Sequence, residues 1–129
     1  MFNKLLLLVA LALIGGCADT CGNTVVTRML SPNGKHEAIL FQRDCGATTG
    51  FSTQISVLET GKSASGSGTA FVADDDHGKA RAGDWGGPWA DMKWLAADRL
   101  LIRYADKSRI FDRSENVGEV VISYQAIGS

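Results

Sequence analysis

The chain has 129 residues, 45% of them hydrophobic and 21% charged, with 13 basic side chains against 14 acidic ones. That length holds one domain, since independent domains usually take about 100 residues. Lysines and arginines are interspersed with acids, which describes a solvated surface and excludes a basic footprint for nucleic acid.

Lys4 precedes an apolar run from Leu5 to Ile14 that ends in Gly15, Gly16 and Cys17. A positive n-region, a short apolar h-region and small residues ahead of a cysteine make a lipobox. The pattern resembles bacterial lipoprotein signals, in which the cysteine is acylated and becomes the first residue of the mature chain. The glycines break the run short of the roughly 20 residues that cross a bilayer, which weighs against a retained helix or an ordinary secretory signal. Residues 1–16 are thus expected to be a lipoprotein signal peptide, residues 17–23 a lipidated tether, and residues 24–129 the folded domain. Its removal leaves 113 residues with 12 basic and 14 acidic side chains, a net charge of −2. Two acyl chains hold a protein stably at a membrane, each buried methylene contributing about 0.8 kcal/mol. Ala18 follows the cysteine instead of an aspartate, and the resemblance to enterobacterial lipoprotein sorting signals implies an outer-membrane address, facing the periplasm.

With Cys17 assigned to lipid, two of the three cysteines are left, Cys21 and Cys45. In an oxidising compartment they are expected to form a disulfide, closing a loop for which chain entropy predicts roughly 3.5 kcal/mol. The competing reading is a reactive Cys45 with His36 or His77 as its base. A free thiol beside an available partner would oxidise there.

The rest reads as strands separated by Gly, Ser, Asn and Asp clusters. Thr24 to Leu30 is a first strand and Ser31 to Lys35 a turn, with Pro32 presetting φ and Gly34 free to take positive φ. His36 to Arg43 follows, and its continuous apolar centre Ala38 to Phe41 predicts a strand covered on both faces. Phe51 to Glu59 alternates, placing Phe51, Thr53, Ile55 and Val57 opposite Ser52, Gln54 and Ser56, the pattern of a half-buried strand. Gly61 to Gly68 is a flexible connector and Thr69 to Ala73 a short strand before the acidic turn Asp74 to Gly78. Asp91 to Ala96 and Arg99 to Tyr104 flank Ala97-Asp98 as a hairpin, and Glu119 to Ala126 closes the set. The expected fold is a small all-β domain, an antiparallel meander or sandwich.

The stretch SPNGKHEAILFQRDCGATTGFSTQISVL, residues 31 to 58, resembles a motif in small bacterial proteins of unknown function, usually headed SPDGK with an RDCGATTGFSTQ-like centre. Asn33 stands where Asp is usual and serves the same turn. The SPNGK turn, the strand after it and the later Trp94 strand also resemble one blade of a TolB-type β-propeller. A single unit makes no ring, so this resemblance implies a β-meander only.

Two loops are candidates for binding. Asp44 to Gly50 is a polar loop whose Asp44, Thr48 and Thr49 can face a ligand if the disulfide holds it rigid, although glycines and hydroxyls there also serve turn structure. Gly83 to Trp89 carries Trp85 and Trp89, which either plug the open end of a sandwich or form a stacking platform for peptidoglycan sugars or a protein partner. The acidic turn with His77 lacks calcium-loop and zinc-site spacing, so neither metal nor cofactor is expected. No nucleophile elbow or HExxH helix is present, which makes a small hydrolase the weakest alternative. The expected role is therefore a non-catalytic binding module anchored to the membrane by lipid, with an envelope protein or peptidoglycan as partner. The alternative is an inhibitor or immunity-like protein acting against an envelope-targeting enzyme or toxin.

Overall fold

A computed structural model describes residues 20–46 and 50–128. Cys17, the expected signal peptide, and Thr48 and Thr49 lie outside the described residues. The elements are β1 (Gly22–Leu30), β2 (His36–Asp44), β3 (Ser52–Glu59), β4 (Phe71–Asp74), β5 (Ala90–Ala96), β6 (Arg99–Ala105), β7 (Arg109–Arg113), β8 (Asn116–Val117) and β9 (Val120–Ile127). They form a five-stranded sheet in the order β1-β2-β3-β4-β7 and a four-stranded sheet in the order β5-β6-β9-β8. The fold is a small all-β sandwich. β1 begins two residues ahead of the expected domain start at Thr24, because Gly22 and Asn23 already pair with Asp44 and Arg43.

β1, β2 and β3 make an antiparallel meander. In the turn after β1, the Asn33 carboxamide oxygen accepts hydrogen bonds from the Ser31 hydroxyl (2.7 Å) and the Lys35 amide (3.1 Å). Gly34 takes a φ of 72°. This is an Asx-type turn, and it aims β2 back along β1.

β2 is covered on both faces, as its continuous apolar run predicts: Ala38, Ile39, Leu40 and Phe41 are all fully buried. Ala38 and Leu40 enter the core between the sheets. Ile39 and Phe41 sit on the outer face, opposite Ser56 and Gln54 of β3. Gln54 and Ser56 are buried too, so β3 is not the half-buried strand its alternation suggests. The cause is the 61–70 connector, which lies across this face. The Asn23 side-chain amide donates to the carbonyls of Ala64 and Gly66, both at 2.9 Å, and the Gln54 carboxamide oxygen accepts from the Gly68 backbone amide at 2.7 Å. This glycine- and serine-rich segment, which sends only Ala70 into the core, is thus held largely by polar groups of the sheet, and a buried one such as Gln54 needs a partner once water is removed.

β5 and β6 form the expected hairpin, with Asp91 opposite Arg103 and Met92 opposite Ile102. The chain then crosses to the first sheet, where β7 pairs with β4, and returns to the second through β8 and β9. β9 consequently runs parallel to β6, a departure from an all-antiparallel arrangement. The core joins Leu40, Ile55, Val57 and Phe71 of the first sheet to Met92, Leu100, Ile102 and Ile122 of the second. Phe71 is its centre, with the rings of Tyr104 and Tyr124 at centroid distances of 5.6 and 6.1 Å.

Candidate functional site

An open groove of about 600 Å³ runs over the outer face of the five-stranded sheet, at the end where β2 finishes and β3 begins. Its floor follows from register. Arg43 stands opposite Ser52, Gln54 opposite Val72, and Asp74 opposite Arg109. Side chains directly opposite in antiparallel strands share a face, so these six line one surface. Cys45 and Gly50 bound the groove on the β2–β3 side, and Asp75, His77 and Gly78 on the side of the acidic turn. The connector covers this sheet face over Ser56 and leaves it open toward Arg43 and Asp74.

The floor is fixed by hydrogen bonds. The Ser52 hydroxyl donates to the Arg43 carbonyl (3.2 Å) and accepts from the Gln54 amide (2.9 Å), while Arg43 donates to the Asn23 carboxamide oxygen (2.7 Å). Phe111 rises from the β7 wall. It is the extra residue between Ile110 and Asp112, which oppose the consecutive Ala73 and Val72. A bulge of this kind redirects a side chain, and Phe111 is 61% exposed as a result.

The acidic wall is a locked turn. Asp74 accepts from Nε and Nη2 of the Arg109 guanidinium, at 3.0 and 2.5 Å, and also from the Asp76 amide at 2.9 Å. The Arg109 hydrogen bond holds the Asp74 carboxyl below the usual carboxylate value, against the opposing effect of burial, with the Asp76 amide and the nearby Arg109 and His77 charges adding to the lowering. Asp76 and His77 adopt φ of 51° and 58°, a left-handed pair followed by Gly78 at 84°. Such a backbone persists where its surroundings fix it. Asp75, His77 and Gly78 of this turn all border the groove. Among the described residues, no group of three or more His, Cys, Asp or Glu side chains is placed to hold a metal ion.

The residues singled out from sequence are distributed as follows. Cys21 and Cys45 form a disulfide one step beyond the Gly22–Asp44 pair, with their Cα atoms 4.0 Å apart. Asp44 is exposed and accepts the Gly46 amide at 3.0 Å, outside the groove lining. Trp85 lies against the end of the core. Its indole N–H donates to the Thr53 hydroxyl (2.8 Å), its carbonyl accepts from the Gln42 amide, and its ring covers Gly83 so closely that a Cβ there would meet ring carbons at 2.4 Å. The Thr53 hydroxyl donates in turn to the Pro88 carbonyl at 2.6 Å, tying the aromatic loop to β3. Trp89 is half-buried under the guanidinium of Arg81, 4.2 Å from its ring. Neither tryptophan lines the groove. His36 lies at the far end of β2, its Nε2 3.9 Å from a Glu119 carboxylate oxygen.

No motif in the sequence marks Arg43, Gln54, Arg109 or Phe111 as a site. Their signal was an outward-facing polar row on β3 and an apolar residue between charges in Arg109 to Arg113. In this groove the Ser52 hydroxyl is engaged by a carbonyl and an amide, and Cys45 is part of a disulfide. Fold and groove together define a small disulfide-linked β-sandwich with a polar-floored surface site. Comparison with protein-family models, with curated proteins and with solved structures finds no match to this chain.

Proposed function

We propose that the protein is a lipid-anchored module of the bacterial cell envelope that binds a ligand without transforming it, held through acylated Cys17 at the outer membrane and facing the periplasm. The observation that carries this reading is a groove fixed on both sides, by the Cys21–Cys45 bridge at one wall and the Asp74–Arg109 pair at the other. A site fixed before its ligand arrives loses less conformational freedom on binding. The partner is an envelope protein or peptidoglycan. The inhibitor or immunity-like alternative draws on Phe111, whose projection from an edge strand suits insertion into a partner's cleft.

Two measurements test the proposal. Intact mass of the membrane-extracted protein is expected to show an acylated mature chain beginning at Cys17 and no free thiol before reduction; an unmodified chain overturns the anchor. In cells, a photo-crosslinking benzoylphenylalanine at position 111 is expected to capture an envelope component that the same group at Val121, on the opposite sheet, does not. Equal capture at both positions overturns the groove.

A further inference from the structure

We infer that the groove takes an uncharged oligosaccharide, with the apolar face of one sugar ring on Phe111 and its hydroxyls on the polar floor. This rests on the groove being the binding site and names the class of its ligand. Five observations carry it. The charged lining is balanced, Arg43 and Arg109 against Asp74 and Asp75, so it selects neither anions nor cations by net field. Arg109 is already neutralised by Asp74.

Phe111 supplies what such a neutral ligand needs, an exposed aromatic face for the axial C–H bonds of a pyranose. The Arg109 guanidinium lies over its ring at 5.2 Å, so the aromatic side chain is braced beside a pinned polar group. The floor is equally fixed. Gln54 is 5% exposed, with its carboxamide oxygen held by the Gly68 amide and its side-chain N–H given to Ser52, so it is a rigid neutral support that fixes the less buried Ser52 hydroxyl at the floor, where a sugar hydroxyl can meet it.

The same bulge that projects Phe111 argues against a strand-adding peptide. β7 is the sheet edge, and an extra residue in the middle of a five-residue strand interrupts the ladder that a peptide would extend. The size fits as well, since about 600 Å³ lies within the roughly 300–1,000 Å³ of small-molecule sites.

The test is calorimetric titration of the detergent-extracted full chain with chitotetraose and maltotetraose, two neutral sugars with and without acetamido groups, and with a tetragalacturonate as the charged control. At least one neutral sugar is expected to bind and the uronate to bind at least tenfold more weakly. Phe111→Ala is expected to weaken binding at least tenfold and Phe111→Trp to retain it, with circular dichroism confirming the fold of both. The chitotetraose and maltotetraose arms distinguish a cell-wall type glycan from a plain glucan. Binding indifferent to Phe111→Ala, or equal binding of the uronate, overturns the inference. So does the absence of heat with every sugar, and if crosslinking through position 111 persists in that case, the groove serves a protein partner and the broader proposal stands.

Discussion

Tyr124 shows how much one polar atom can govern. Its hydroxyl lies 2.6 Å from the Ser114 carbonyl and 3.1 Å from the Ala70 carbonyl, joining β9 to the segments flanking β4 and β7. Burial pushes the phenol well above its ordinary value of 10.0, since the charged form has little water to solvate it, and the Asp112 charge adds to this. A folded-state value raised above the unfolded one means that stability is complete below about pH 10 and declines as pH rises further. Tyr124→Phe is expected to lower stability by about 1–2 kcal/mol at pH 7, measured as a urea midpoint. It should also lose the part of the alkaline decline that begins near pH 10. Asp74 works in the other direction. Its depressed folded value gives stability that is present above about pH 4 and lost as pH falls through that lower value. Asp74→Asn is expected to be less stable than the wild type at neutral pH, with the gap closing as the pH falls below about 4 in the same assay.

Among the elements, the first meander was the most legible in the sequence. The Asn33-Gly34 turn and the unbroken run Ala38 to Phe41 each have one structural solution, and both are found. β7 was not legible. Arg109 to Arg113 has one inward apolar residue, Ile110, and the bulge at Phe111 breaks the period of two by which strands are recognised. The burial of Gln54 and Ser56 was hidden for another reason: local pattern records which face a residue takes, not which distant loop lies over it. The groove depended on both, so its polar row was visible in β3 and its aromatic wall was not. The Cys21–Cys45 bridge belongs to this scale, since it closes the β1–β2 ladder. Replacing both cysteines with alanine is expected to lower stability by about 3 kcal/mol, close to the chain-entropy value for a loop with a sequence separation of 24. A midpoint unchanged by the double replacement, or by reductant on the wild type, would show that the ladder holds that end unaided.

For the molecule as a whole, the groove, the disulfide and the first residue of β1 share one end of the five-stranded sheet. If Cys17 is acylated as proposed, the tether would join the fold at that end and the groove would lie next to the membrane. Its accessible ligands would then be those lying close to the lipid surface, and the reach of the tether becomes part of selectivity. The crossing of β7 between the two sheets bears on how this chain comes into being. β1, β2 and β3 are neighbours in both sequence and space, and their cysteines lie within the first 45 residues, so this unit can assemble and oxidise while the remainder is still emerging. The second sheet has no such independence. One side of β6 stays unpaired until Val120–Ile127 arrives from beyond β7, and through that interval Leu100 and Ile102 lack their neighbours Ile122 and Tyr124. The hazard to a newborn chain therefore lies at its end, where an arrest or a truncation would leave a finished, oxidised first half joined to an open, sticky edge.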